Sequence, residues 1–479
     1  MSTRKLLVLT AIFLALLAFV VLFERKQPTS DERAKAARRL ADFKTQDVTS
    51  VTLERPDLPK VELVRKDKGR WVVSNEPASP ADGFVADSLV ADLGRLEVVG
   101  ETRAGFDPKE FGLDAPKAKA TVSFADKSSK VFSFGAPIPG TDAVAAAAGP
   151  VFGAVKFAPL ANLTKPVDEY RSKQLFDVPV ADITRVSVTR GPNTVVVSRA
   201  AKGAGSATTW RLEKPVADLA SDAFVDRLLG DLAGARVVEF PSVANVDLAR
   251  VGLAPPVSSV VLEKGNEKVA TIGFGADKAE GGGGRMYAKI GALVVVIDDR
   301  VREDLDKELS AYRESRVAPV ETFTLRRVAF SADDLRAGAD KVDGQWRSSG
   351  RAVTALHAEG IAAVLGRAEG RGFVAAKPGK PADEKPLATV DLAGEADGSA
   401  RTATFFAAPP ASASGLVAVQ VTGRPERLLV DRTVLDEIRR EAAALRDEAE
   451  GKPRNAKAKP PTPEPTPAPG GLVKGAPLR

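Results

Sequence analysis

The sequence predicts an α+β protein built from three tandem, diverged copies of one mixed strand/helix module, plus one N-terminal transmembrane helix. Two observations carry the repeat: three widely spaced tryptophans and several shared residue blocks. Trp71, Trp210 and Trp346 are almost evenly spaced along the chain, and blocks around the first two recur at nearly the same offset. Recurrence at a fixed spacing is the signature of tandem modules.

The first element is the uncharged run 6–23, which follows Arg4 and Lys5. As a helix it would be about 27 Å long, at about 1.5 Å per residue, close to the bilayer core of about 30 Å. No small-residue cleavage pattern stands out before Glu24. We therefore expect residues 1–26 to be an uncleaved signal anchor in the lipid bilayer, with a cleaved signal peptide as the alternative.

The orientation of the anchor rests on conflicting signals. Lys and Arg residues are more numerous after the apolar run than before it, which favours a cytoplasmic body. The start nevertheless resembles an export signal, and long domains can translocate against such a charge bias. We expect a single-pass protein of the inner membrane with a periplasmic or extracytoplasmic body. Residues 27–46 are predicted to be a juxtamembrane helix and linker, because Thr29 and Glu32 form a capping-box pattern.

Three modules are predicted to follow: residues 47–180, residues 181–318 and a diverged copy at residues 319–450. Each begins with a pair of strands whose apolar residues alternate, and then has a tryptophan and an amphipathic helix. Further strands and a closing helix complete each unit. Many strands with few helices favour α+β over a doubly wound sheet. Residues 451–479 are rich in proline and basic residues, which predicts a disordered tail.

Two short motifs mark the first two modules. A Gly-Leu-x-x-Pro segment occurs once in each, at almost the same offset as the tryptophans, and we interpret both features as structural markers. The residues are Gly112, Leu113 and Pro116 in the first module and Gly252, Leu253 and Pro256 in the second.

A Tyr-Arg pair near the end of each of these modules is the candidate binding feature. The pairs are Tyr170–Arg171 and Tyr312–Arg313, again at a closely similar offset. Arginine can bind a carboxylate through two parallel hydrogen bonds, and both residue types are enriched at binding hot spots. The functional interpretation is a contact between modules or with a partner, and the structural one, given next, is the one we favour. An ion pair at a helix end is the structural alternative.

The composition excludes several kinds of chemistry. The chain has no cysteine and one histidine, so disulfides, thiol catalysis and cysteine-bearing zinc sites are excluded. Phosphate-loop, zinc-protease and serine-hydrolase motifs are absent from the sequence. The glycine run 281–284 fits a hairpin loop better than a phosphate cradle. We predict no catalytic residue, no cofactor and no metal site.

The remaining polar residues have competing interpretations. Asp298, Asp299 and Asp304 could share a proton or a metal ion, but aspartates also cap helix N-termini, and we favour capping. His357 could act as a base near neutral pH, although its position on a helix surface fits a structural role better.

The net charge of +6 does not indicate a nucleic-acid partner. The excess of basic over acidic residues lies in the segment 1–26 and in the tail, and the central body is slightly acidic. A folded nucleic-acid binder carries its basic patch on the domain itself. We therefore expect no nucleic-acid binding.

The segment FGLDAP at 111–116, a later Phe-Gly, the strand pair leading to tryptophan and the Tyr-Arg pair resemble the bacterial family called domain of unknown function 4340. The resemblance covers about residues 45–450. Proteins of this family look like envelope components found beside ABC permeases and gliding-motility-type subunits. The resemblance implies a non-enzymatic accessory subunit with a membrane-protein partner such as an ABC permease. The alternatives are a cell-wall or glycan-binding protein and, less favoured, a hydrolase using carboxylates or Ser/Lys.

Overall fold

The structure is a computed structural model of the chain. It describes residues 38–66, 69–99, 107–156, 158–199, 209–277, 284–318, 324–375, 384–394 and 400–452. The predicted anchor at 1–26, residues 27–37 of the linker and residues 453–479 of the tail lie outside these ranges. Within them, no helix combines the length and the apolar character needed to cross a bilayer.

The expected α+β class, with a mixed strand/helix module, is wrong, and the N-terminal transmembrane helix expected with it lies outside the described residues. The described chain is dominated by three antiparallel sheets of eight, nine and nine strands, and no described helix is a membrane span. The alternating apolar pattern predicts the strands correctly. The error lies in the closing helix expected in every module, because only the third module ends in a long helix.

The first sheet has the order β4-β3-β2-β1-β5-β6-β7-β8. Helix α1 (Gly83–Gly94) connects its two halves and begins at Asp82, whose Oδ1 accepts a hydrogen bond from Val85 N at 3.1 Å. The strands are β1 (Val48–Arg55), β2 (Leu58–Arg65), β3 (Trp71–Val73), β4 (Ser79–Pro80), β5 (Ala118–Phe124), β6 (Ser129–Pro137), β7 (Ala143–Ala148) and β8 (Val151–Lys156).

The second sheet repeats this path in the order β12-β11-β10-β9-β14-β15-β16-β17-β13. Its strands are β9 (Arg185–Arg190), β10 (Asn193–Arg199), β11 (Trp210–Lys214), β12 (Asp218–Leu219), β13 (Val237–Glu239), β14 (Ser258–Lys264), β15 (Glu267–Asp277), β16 (Arg285–Ile290) and β17 (Leu293–Asp298). Its helices are α2 (Asp222–Gly234), α3 (Arg302–Leu305) and α4 (Leu309–Tyr312).

The third sheet has the order β21-β20-β19-β18-β23-β24-β25-β26-β22. Its strands are β18 (Leu325–Ser331), β19 (Arg336–Val342), β20 (Gln345–Ser348), β21 (Arg351–Ala352), β22 (Gly372–Ala375), β23 (Ala388–Gly394), β24 (Arg401–Ala407), β25 (Leu416–Val421) and β26 (Glu426–Asp431). Its helices are α5 (Ala355–Arg367) and α6 (Arg432–Glu450). The three sheets therefore form a repeat-like series, as the tryptophan spacing predicts.

Each module buries one face of its sheet under its first helix. In the first module, Leu89 and Leu93 of α1 are buried among alternate residues of the strands, such as Val51 and Ala120. In the third, α6 adds a second apolar stripe that includes Leu435 and Ile438. Burying one such side chain contributes about 1.5–3 kcal/mol, so each helix holds its sheet mainly through this stripe.

By their contacts the described residues form two compact units: those up to 194 together with 227–306, and 195–226 together with those from 307 onward. The division passes through the second module. The first unit contains the segment 170–174, which leads from the first module into the second. The second unit contains the segment 312–316, which leads from the second module into the third.

Candidate functional site

The three tryptophans are buried parts of the fold, with exposed fractions of 4%, 0% and 3%. Each indole Nε1 donates a hydrogen bond to a carboxylate on the following helix, and a basic side chain lies over each ring. A buried indole with a satisfied N–H is a fold determinant, and these rings offer no exposed stacking surface of the kind that glycan binding needs. The sets are Trp71 with Asp87 and Arg65, Trp210 with Asp226 and Arg199, and Trp346 with Glu359 and Lys341.

The Gly-Leu-x-x-Pro segment also serves the fold. Gly112 has a φ of +67°, and Leu113 is buried. A Cβ on Gly135, the glycine of the later Phe-Gly, would overlap the carbonyl oxygen of Phe111. The close approach of this loop to β6 therefore requires glycine. Pro116 follows the loop at its exit, and the second module repeats the arrangement with Gly252, Leu253, Pro256, Gly275 and Val251.

The Tyr-Arg pairs begin two extended segments that connect consecutive modules. In the first, Arg171 bridges to Ala81 at the sheet edge, and Gln174 bridges to Arg236 beyond helix α2. We call residues 170–174, together with the residues that contact them, the first junction. The second junction, built on 312–316, has the equivalent bridges Ala220–Arg313 and Arg316–Glu369.

The second junction is packed around one buried carboxylate. Asp218 is 0% exposed, and its Oδ2 accepts hydrogen bonds from Arg313 Nε at 2.8 Å and Nη2 at 2.6 Å. Arg424, from the β25–β26 turn, donates through Nε to Asp218 Oδ1 at 3.0 Å. It also donates through Nη2 to the carbonyl oxygen of Glu314 at 2.6 Å. Both guanidinium groups lie against the ring of Phe373, and Arg313 additionally pairs with Glu426. This junction is a paired, desolvated network that fixes packing.

The first junction has the same backbone arrangement as the second, but it lacks the buried carboxylate. Ser79 stands where the second module has Asp218, at the same register in the edge strand. Arg171 is 4% exposed and donates through Nη1 to Ser79 Oγ at 2.5 Å and to the carbonyl oxygen of Pro77 at 2.8 Å. Its carboxylate partner, Asp168, is half exposed and lies 3.3 Å from Nε. Burial lowers the pKa of Arg171, and Asp168 opposes that shift.

A cavity of about 340 Å³ lies beside Ser79 in the first junction. The β16–β17 turn, Gly291–Ala292, lies where the third module has the longer turn that carries Arg424. Without a long side chain from this turn, the space is bounded mainly by apolar groups. Arg70 and Asp177 form its polar rim and also border an outer groove of about 640 Å³. The apolar wall includes Phe176, Val237, Phe240, Ile290, Leu293 and Val295.

Of the four candidate binding residues, the two tyrosines and the two arginines have different roles in the structure. Tyr170 is fully buried and donates its hydroxyl to the carbonyl oxygen of Asn162. Burial raises the pKa of Tyr170 to about 12, while the charge of Arg55 opposes the shift. Tyr312 is buried with its ring 4.6 Å from that of Phe224. Arg171 and Arg313 are the members that define the junctions, and a partner contact through them stays a prediction.

The candidate acidic cluster is dispersed. Asp298 accepts a hydrogen bond from the backbone N–H of Arg236 at 2.9 Å, and the carbonyl oxygen of Asp299 accepts one from Arg302 N. Asp304 is buried and accepts from Arg227 at 2.6 Å and 3.1 Å. Within the part of the chain that the structure describes, no group of three or more metal-ligating side chains converges.

His357 and the glycine run have separate positions. His357 lies on α5, and its Nδ1 is 2.7 Å from Glu441 Oε2 on α6, which ties the two helices together. Of the run 281–284, the structure describes only Gly284, which has a φ of +81° next to Asp299.

Sequence reasoning missed Ser79, Phe240 and the turn Gly291–Ala292. The correspondence between Ser79 and Asp218 could have been found from the sequence, because these two residues are separated by the same number of positions as Trp71 and Trp210. The cavity could not be inferred in this way, since residues from separate strands form its wall.

Comparison with known proteins identifies a family for most of the chain. A family model described as Domain of unknown function (DUF4340) matches two adjoining segments, residues 71–209 and 210–389, which together make up more than half of the chain. Each matched segment begins at one of the tryptophans, Trp71 and Trp210. No curated protein matches the chain.

Proposed function

This chain belongs to the family described as Domain of unknown function (DUF4340), and we propose that it is a non-enzymatic accessory subunit of an ABC-type export or gliding-motility-like envelope system. Its modules bind partner proteins and transform no substrate. The assignment to an ABC-type system is supported by the family resemblance. The binding role is supported by the architecture.

The observation that carries the binding role is the difference between the two junctions. They share a backbone arrangement, yet Asp218 and Arg424 occupy the second, whereas the first has Ser79, Gly291 and a cavity. Pockets of about 300–1,000 Å³ with apolar walls and a few polar groups are the usual form of binding sites. The first junction has these properties.

We further propose that residues 6–23 attach the protein to the inner membrane and that its body lies outside the cytoplasm. The support is the uncharged run and its export-like start. A C-terminal reporter active only in the periplasm tests the orientation. Activity of the matching cytoplasm-specific reporter instead would contradict it.

Purification of the full chain from mild detergent, after cross-linking in cells, tests the accessory role. We expect a membrane permease to co-purify. The variant Ala292→Arg places a long side chain at the first junction and should lose the partner. Pro150→Arg, at the equivalent exposed turn of the first module, should keep it. Recovery of no membrane protein with the unaltered chain contradicts the proposal.

A further inference from the structure

We propose that the cavity of the first junction receives the guanidinium group of an arginine side chain carried by a partner protein. This inference deepens the proposed binding role, on which it rests, because it names the chemical group that the site recognises. It is tested on the purified chain with short peptides, so its failure can be distinguished from a failure of the accessory role.

The second junction shows how this fold holds such a group. Arg424 enters it from the β25–β26 turn and donates through Nη1 to the carbonyl oxygen of Arg316 at 3.0 Å and through Nη2 to that of Glu314 at 2.6 Å. Its Nε donates to Asp218 Oδ1 at 3.0 Å, and its guanidinium lies 5.4 Å from the centre of the Phe373 ring. Two backbone carbonyls, one side-chain oxygen and one aromatic ring therefore bind this guanidinium.

The first junction has a counterpart for each of these four groups, and all four counterparts line its cavity. The bridges Gln174–Arg236 and Arg316–Glu369 align the two connecting segments and fix the correspondence. The member without a counterpart is the arginine itself, because the β16–β17 turn carries no long side chain. The matching residues are Ser172 for Glu314, Gln174 for Arg316, Ser79 for Asp218 and Phe240 for Phe373.

The two backbone carbonyls of the first junction are available to a donor. Lys173, which lies between them, uses its own carbonyl oxygen to accept from Val237 N at 2.9 Å. Adjacent residues of an extended segment direct their carbonyl groups to opposite sides, so those of Ser172 and Gln174 face away from Val237. Among the described residues, no donor is hydrogen-bonded to either oxygen.

The charges around the cavity fit a cationic donor. Among the described residues that line it, Asp177 is the one carboxylate, and its pair with Arg70 is exposed and 4.0 Å long. Such a pair is weak, which leaves Asp177 able to pair with an incoming cation. Ser79 Oγ accepts one hydrogen bond from Arg171 and keeps a second lone pair. The charge of Arg171 is opposed by Asp168, 3.3 Å from its Nε.

The arrangement fits a guanidinium better than an ammonium group. A guanidinium is planar, carries five N–H donors in a fixed fork and stacks on aromatic rings, whereas an ammonium is a compact point charge. Two carbonyls on one side of a segment, next to the Phe240 ring, match the planar fork. The cavity shares Ser172 and Gln174 with the outer groove of about 640 Å³, which leaves room for the polypeptide that carries the arginine.

Calorimetric titration of the full chain in one detergent tests the inference. The probes are the capped tripeptide acetyl-Leu-Arg-Leu-amide and the same peptide with citrulline or lysine in place of arginine. We expect the arginine peptide to bind at least about tenfold more tightly than either analogue, because citrulline lacks the charge and lysine lacks the planar fork. Agmatine carries the same group without a polypeptide and should bind more weakly than the arginine peptide.

Two variants locate the binding. Ser79→Asp supplies the carboxylate that the second junction has, and it should tighten binding of the arginine peptide about tenfold without changing that of the citrulline peptide. Ala292→Arg supplies a guanidinium from the turn, as Arg424 does in the third module, and should abolish binding of the arginine peptide. Pro150→Arg, the control, should not. Thermal unfolding of each variant verifies that it is folded.

Four results would overturn the proposal: no heat of binding for the arginine peptide, equal affinity for the arginine peptide and either analogue, tighter binding of agmatine than of the arginine peptide, or unchanged affinity in both Ser79→Asp and Ala292→Arg. Recovery of no membrane partner from cells, with binding of the arginine peptide intact, would instead count against the accessory role alone.

Discussion

At the scale of single residues, the two junctions show how one position changes the role of its surroundings. Asp218 pairs with two buried arginines, Arg313 and Arg424, and only Arg313 has a second carboxylate partner, Glu426, among the described residues. Ser79 satisfies one hydrogen bond of Arg171 and no charge. A buried ion pair contributes little net stability, but breaking one by removing a partner is expensive. The free energy of unfolding should therefore be far more sensitive to substitutions in the buried network of the second junction than to substitutions in exposed ion pairs.

Asp218→Asn should lower the free energy of unfolding by about 3–5 kcal/mol, because it leaves the buried guanidinium of Arg424 without an anion and leaves Arg313 with Glu426 alone. Chemical denaturation measures the change. Asp182→Asn is the control: its pair with Lys264 is 2.7 Å long but exposed, and should contribute no more than about 1 kcal/mol. Equal effects of the two substitutions would show that the buried network is not essential.

A second residue-scale feature is the carboxylate pair of Asp231 and Asp304. Burial, together with a hydrogen bond and repulsion from Asp304, raises the pKa of Asp231. At the equivalent place in the first module, the partner of Asp92 is Asn162, which donates at 2.8 Å. An amide there removes the repulsion that the second module retains.

Because the pKa of Asp231 is raised on folding, its contribution favours the folded state at low pH and is lost as the pH rises through the folded pKa. Asp231→Asn should therefore stabilise the protein at neutral pH, by no more than about 1 kcal/mol for this partly exposed group. The gain should shrink as the pH falls through the folded pKa of Asp231 and vanish below the ordinary pKa of an aspartate. Urea denaturation across this range measures it.

Asp92→Asn is the matched control for that series. It removes a carboxylate that accepts from Asn162, so it should lower the free energy of unfolding at neutral pH. A gain for Asp92→Asn as large as that for Asp231→Asn would contradict the assigned cause.

At the scale of elements, the loop that follows α1 is fixed to β6 by glycine. Gly135→Ala would force its Cβ against the carbonyl oxygen of Phe111, and overpacking of this kind costs about 1–3 kcal/mol. Gly230→Ala is the opposite case, because nothing lies within 4 Å of its Cβ in helix α2. It should stabilise by about 0.5–1 kcal/mol. The two melting temperatures should thus move in opposite directions, and a neutral Gly135→Ala would refute the packing argument.

The elements also show how far sequence could predict the fold. Alternating residues such as Val51 and Leu53 identify strands, because one sheet face is buried. The closing helices predicted for the first two modules are wrong: α4 has four residues, and residues 167–170 form only a short 3₁₀ turn. The spacing of apolar residues cannot distinguish a closing helix from a short turn that is followed by the extended segment connecting two modules.

At the scale of the whole molecule, the repeat was predictable and the binding cavity was not. The regular offset between the tryptophans corresponds to sheets with the same strand path. Arg171 is identifiable from its recurrence with Arg313. The two junctions differ by a serine and a short turn, which tertiary packing brings together from separate strands. That difference has no periodic signature in the sequence.

The central claim is that the first junction, and not the second, recognises another molecule. A photo-cross-linking side chain placed at Thr271, on the cavity wall, tests it in intact cells. Thr402 holds the same register in the third module and is the matched control. We predict a specific adduct at Thr271 and none at Thr402. Equal adducts at both positions, or none at Thr271, would contradict the claim.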